Sequence, residues 1–172
     1  FLDNPLITRY VVYNKWNFKD EKKSTDFNIS GRYWNEERIG GQKVDIHGST
    51  HVPGTPLYEQ TANINSLEGY SRFSKQFSGG SDMKMYLTSS YYDQNSMYGR
   101  TRYDADQTNF SVMGFYEFEV MPEGFLKTGL SYKYLNIDEV IEFQDTTTKS
   151  YAGSYNKMES IPGIFAENSV SF

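Results

Sequence analysis

The sequence predicts an all-β protein, an antiparallel transmembrane β-barrel of which these residues supply about seven strands. Three observations predict it. Apolar and polar residues alternate one by one along seven segments, the period at which a strand sends neighbouring side chains to opposite faces. No run of about 18 apolar residues is present that would make a membrane helix. The apolar fraction is only 37%, nearly half of it aromatic at 17%, which leaves few aliphatic residues for the core of a soluble domain of 172 residues. Tyrosine, present 15 times, tolerates a half-wet position. A wall with one greasy and one wet face needs no aliphatic interior, whereas a Tyr- and Gly-rich soluble sandwich of the carbohydrate-binding kind shares the composition. The order of strands and links has to separate the two.

The first strand, about Leu6 to Phe18, sets Leu6, Thr8, Tyr10, Val12, Trp16 and Phe18 against Arg9, Tyr13 and Lys15. The second, about Ser24 to Asn35, opposes Phe27, Ile29, Gly31 and Tyr33 to Asp26, Asn28, Ser30 and Arg32. In the third, about Ile64 to Phe77, Leu67, Gly69, Ser71, Phe73 and Phe77 face away from Glu68, Tyr70, Arg72 and Ser74. The fourth, Asp82 to Asp93, pairs a Met83, Met85, Leu87 and Tyr91 face with a Lys84, Tyr86 and Thr88 face. The fifth and sixth form a hairpin about the turn Met-Pro-Glu-Gly: Phe110, Val112, Gly114, Tyr116, Phe118 and Val120 continue into Leu126, Thr128, Leu130, Tyr132 and Tyr134. The seventh begins near Gly163, with Ile164, Ala166, Val170 and Phe172 on its apolar side.

Short links ("KDEKKS", "SGGSD", "MPEG") alternate with long ones, about Glu36 to Asn63, Asn95 to Gln107 and Ile137 to Ser160. Strict alternation puts every short turn at one end of the sheet, as in outer-membrane barrels with short periplasmic turns and long outer loops. A Greek-key sandwich has no such obligation. On this rule the first strand descends toward the periplasm. Aromatic residues gather at both ends, Trp16, Phe18, Phe77, Phe118 and Phe125 near the short turns and Tyr33, Tyr91, Tyr132 and Tyr134 near the long loops, as two membrane interfaces favour. Seven strands is odd, while single-chain bacterial barrels close on an even number. The expectation is therefore that residues 1–172 are all part of the barrel domain, an interior stretch with the remaining strands elsewhere in the chain. A net charge of −5 and a pI near 5.1 argue against nucleic acid as a partner. The lack of cysteine suits an envelope compartment.

Three segments carry a family resemblance: "RYWNEERIGGQ" leaving the second strand, "SSYYDQNSMYGRTRYDADQTNF" from the fourth to the fifth, and "ESIPGIFAENSVSF" entering the seventh. With the strand order and loop sizes between them, they resemble the TonB-dependent outer-membrane receptors, in the branch linked to iron chelates or cobalamin. The resemblance covers nearly the whole chain, and its motifs speak for the fold more than for the ligand. It implies a 22-stranded barrel in the bacterial outer membrane, plugged by an N-terminal domain, that imports a scarce siderophore-bound iron or cobalamin using energy from the TonB complex. Neither the plug nor the TonB box lies in these residues, and the short motifs associated with haem receptors are missing. The implied partners are TonB through the plug, the lipid bilayer, the small-molecule ligand and, in some relatives, a surface lipoprotein. No resident cofactor is implied, any metal arriving inside the transported ligand.

Ligand-binding candidates concentrate in "YGRTRYDADQ". Tyr98, Arg100, Arg102 and Tyr103 combine aromatic faces with guanidinium forks suited to carboxylates, phosphates or catecholates, beside Asp104 and Asp106. The plainer alternative is that the arginines pair with those aspartates and shape the loop. Arg38 is a further candidate. His47 and His51, the two histidines, share the longest loop with Glu36, Glu37 and Asp45 and are a weak metal candidate; their helical spacing is undone by Gly48, Ser49 and Thr50. Gly40 and Gly41 read as a strand end that turns through positive φ. The acidic runs do not match a calcium loop. Arg32, Lys84, Glu117, Glu119, Lys127 and Lys133 read as wet-face charges that pair across strands or with the plug. No Ser-His-Asp, Cys-His or catalytic carboxylate arrangement stands out, so the chain is not expected to be an enzyme. A passive porin or adhesin barrel and the soluble sandwich remain alternatives.

Overall fold

A computed structural model describes residues 5–41, 59–122, 124–143 and 151–170. They form seven strands and no helix: β1 (Leu6–Asp20), β2 (Thr25–Gly41), β3 (Glu59–Gln76), β4 (Asp82–Tyr98), β5 (Thr101–Met121), β6 (Gly124–Phe143) and β7 (Tyr151–Val170). Each pairs antiparallel with the next in one sheet ordered β1 to β7, which is not closed on itself.

Register brings the alternating faces into common rows. Phe18, Phe27, Phe73, Met85, Gly114, Leu130 and Ile164 are successive cross-strand partners, and so are Trp16, Ile29, Ser71, Leu87, Val112, Tyr132 and Pro162. A slip of one residue in any pair would interrupt the greasy rows, so the apolar face itself specifies the register. No second layer packs on it among the described residues, where Val12, Leu130 and Ile164 are 65%, 66% and 84% exposed. The reverse face is polar. On it Arg32 forks onto Glu68 at 2.6–3.0 Å, and Lys127 lies 3.1 Å from Glu167 and 3.7 Å from Glu117, the cross-strand pairing expected of wet-face charges. Phe125 departs from expectation: it shares the polar side of the pleat, opposite Glu119 and Ser169, and does not join an aromatic girdle on the apolar face.

The three short turns expected from sequence fall at one end. Residues 21–24 turn with Ser24 at φ 48°, and residues 77–81 turn through Gly79 and Gly80 at φ 118° and 81°. A register shift between Glu119 and Met121 leads into the third turn.

At the far end the strands run on where loops were expected. Glu36 and Glu37 lie inside β2, β3 starts at Glu59, and β7 starts at Tyr151, twelve residues before Gly163. Residues 95–107 are not a long loop: β4 and β5 meet in a two-residue turn, Gly99-Arg100, with Gly99 at φ 62°. Glycine first with positive φ is the Gly-X signature of a tight hairpin. Strict alternation of link lengths therefore fails here.

The physical reason lies in one row. Asn35, Asn65, Asp93, Asp106, Asp138 and Asn156 are consecutive partners across β2 to β7 on the apolar face. Asn35 donates to Asn65 at 2.9 Å, Asn65 to Asp93 at 3.3 Å, and the Tyr91 hydroxyl to Asp106 at 2.7 Å. Beyond this row both faces are largely polar, so hydrophobic alternation stops while backbone pairing continues.

Candidate functional site

At and beyond the Asn/Asp row the polar face carries a floor of buried small and mid-sized residues, Ser66 just before the row and Ala62, Ile64, Ser96 and Ala105 past it. Small side chains leave room for long neighbours to lie flat over them. On β2, Trp34, Glu36 and Arg38 project to this side, joined by Arg9 from β1 and by Tyr92, Gln94 and Tyr98 from β4.

Glu36 is the most buried side chain of the described residues, with no exposed surface. What covers it is a pair of arginines. Arg9 donates to its Oε2 and Arg38 to its Oε1, so both oxygens are held and two guanidiniums are drawn to one carboxylate. Burial pushes the Glu36 carboxyl up, but the bonds from Arg38 and Arg9 outweigh it and hold the group below the usual carboxylate range. Arg9 also lies over the Trp34 ring, 5.6 Å from its centroid. Trp34 in turn tilts against Tyr92 at 6.3 Å and donates Nε1–H to Glu68 at 3.3 Å. The Tyr92 hydroxyl donates to Gln94 at 2.7 Å, and Gln94 reaches Ser96 at 2.7 Å and Tyr98 at 3.4 Å.

Below this cluster the polar face opens into a concavity of about 710 Å³ lined by Tyr13, Arg32, Trp34, Glu68, Tyr92 and Lys133 among others. Ser30, Ser66, Thr88, Ser90, Asn109 and Ser111 add hydroxyl and amide groups. The arrangement offers aromatic faces, fixed cations and many neutral hydrogen-bonding groups, which suits the binding of a polar solute.

The strand pleat divides the candidates named from sequence. Arg38, Tyr98 and Tyr103 lie on the polar face with the cluster, while Arg102 and Asp104 lie on the other and pair with each other at 2.8 Å. That is the plainer alternative for Arg102; Asp106 instead accepts from Tyr91. Arg100 sits in the tight turn. Tyr103, at the far tip of β5, donates to Glu139 at 2.6 Å, and this bond together with burial pushes its phenol up to about 12. His47 and His51 lie outside the described residues. Among the described residues no group of three or more His, Cys, Asp or Glu forms a metal site. Gly41 has the positive φ expected of it, 129°, whereas Gly40 does not.

Sequence reasoning missed Arg9, Trp34, Glu36 and Tyr92 as members of one site. The signal was available in part: Trp34, Glu36 and Arg38 are spaced by two, so a strand running through 41 places them on one face. No family model and no curated protein sequence matches the chain.

Proposed function

We propose that this chain is a stretch of the wall of an outer-membrane β-barrel, and that the barrel is a TonB-dependent receptor importing a scarce iron chelate or cobalamin. The observation that carries the reading is the apolar face kept in one register across seven strands, uncovered by a second layer among the described residues and ended at the far side by a row of Asn and Asp. A face of this kind stabilises a wall in lipid and is a liability in water.

Two quantities support it. A row through the end of the first hairpin, Asp20–Thr25, continues through Lys75 and Met83 to Tyr116, five residues short of Met121 where the third hairpin turns. If the first and third short turns share one membrane surface, that stagger over four strand spacings corresponds to a tilt of about 40°, from ~3.3 Å per residue and ~4.8 Å per strand. Barrel strands tilt by roughly 35–45°. The strands are 15–21 residues long, against the roughly 9–11 that cross a bilayer. The surplus stands beyond the apolar band as a vestibule wall, and the aromatic, arginine-bearing cluster lies on its inner side. In this reading the lumen wall and vestibule receive the solute, the plug lies elsewhere in the chain, and TonB supplies the energy.

The test has two parts. The intact protein from membranes should need detergent and run faster on a gel unheated than boiled, as folded barrels do. Cells carrying it should take up ferric chelate or cobalamin only while energised. Uptake that survives a protonophore would indicate a passive porin, and a protein that dissolves without detergent would overturn the barrel.

A further inference from the structure

Glu36 has spent both oxygens on two guanidiniums, and the three groups together keep one positive charge. Arg9 and Arg38 are still half exposed, at 53% and 43% of their side chains, while the carboxylate beneath has no exposure. The geometry is thus a buried anion that orients two partly open cations, and not a cation sealed by two acids. Guanidiniums brought within reach of one carboxylate repel each other unless an anion lies between or above them. Glu36 meets part of that demand from below.

We propose that Arg9 and Arg38, positioned by Glu36, form an oxyanion-docking site on the inner side of the vestibule wall, taking a carboxylate or phosphate group of the incoming solute. Planar forks of N–H donors match such groups. Trp34 and Tyr92 stand beside the pair and give the rest of the solute an aromatic surface to lie on. The concavity below, with its hydroxyl and amide lining, is the next place such a solute reaches. This assignment rests on the barrel reading for its direction of approach. It differs from the site legible in sequence, since Arg102 is on the opposite face.

The experiment uses the full-length protein in detergent, with citrate as a carboxylate probe, inorganic phosphate as a phosphate probe and raffinose as a neutral control, each titrated by calorimetry. Citrate or phosphate should bind, and the preferred probe tells which oxyanion the site takes. Arg9→Gln and Arg38→Gln should each weaken that binding roughly tenfold to a hundredfold, the range expected for hydrogen bonds to a charged group. Glu36→Gln takes the cluster from one net positive charge to two, so it should not weaken anion binding as the arginine substitutions do. Heat-modifiable gel mobility of each variant reports whether the wall is intact. Intact arginine variants that bind both anions as the wild type does would overturn the site and leave the barrel standing, and so would a wild type that binds neither. A wild type without heat-modifiable mobility would instead overturn the barrel, whatever the titrations give.

Discussion

Two lengths of the same strands obey different rules. Between the short turns and the Asn35–Asn156 row, one face is greasy and the other wet; beyond that row the contrast is lost, with Ala62, Ile64 and Ala105 buried on the once-polar side, yet the ladder continues unbroken to Phe143 opposite Tyr151. Backbone pairing alone holds a strand in either stretch. Side chains decide what each stretch touches. In the band they separate an apolar surface from a polar one, whereas in the extension they decide which polar groups are held by partners and which stay exposed.

The largest effect should come from breaking the band. Leu130→Arg places a cation on the apolar face and should cost about 2–4 kcal/mol in a bilayer, while Ser131→Arg, one step across the pleat, should change little; denaturant unfolding in vesicles checks the pair. Equal losses would erase the distinction between faces. Next is Glu36→Gln in the extension, which leaves two guanidiniums short of a counter-charge. Because Arg9 and Arg38 are partly solvated, the loss should be about 1–3 kcal/mol.

The same residue gives a pH test. Its folded pKa lies below the unfolded value, so its contribution is full above that value and is lost as pH falls through the folded one. Wild type and Glu36→Gln should differ at neutral pH and converge as pH drops from about 5 to below 4. A constant gap across that range would mean that the charge of Glu36 is not what stabilises the wall.

Smaller again is Gly99→Val, which forces a β-branched residue to φ 62° and should cost about 1–2 kcal/mol, seen as earlier melting of the β4–β5 tip by hydrogen exchange. The smallest is Arg102→Gln. It removes an ion pair on the face opposite the Glu36 cluster and should shift stability by under about 0.5 kcal/mol, and under the proposed transport reading it should leave uptake unchanged. A marked uptake defect there would move the functional surface to the other face.

The strand count, the three short turns and the apolar face were legible because alternation is a local property that each segment displays by itself. Tyr33, Leu67 and Tyr91 could be put on one face before any register was known. The extensions were not legible, because Asn95 to Gln107 has no hydrophobic contrast to alternate and its Gly-Arg turn lies in a run otherwise typical of loops. For the site, proximity in sequence misled: Arg102 and Tyr103 are neighbours, and for that reason a strand sends them to opposite sides.

By itself, then, the sequence determined that the chain is all-β, where its greasy residues lie, and that Arg and Tyr collect at the far end. Only the tertiary structure decided that Arg9, 27 residues before Glu36, meets it with Arg38 over a floor from β3, β4 and β5. Pleat parity follows from counting residues along one strand, but partnership between strands depends on register, which is set by the apolar faces of all seven strands at once.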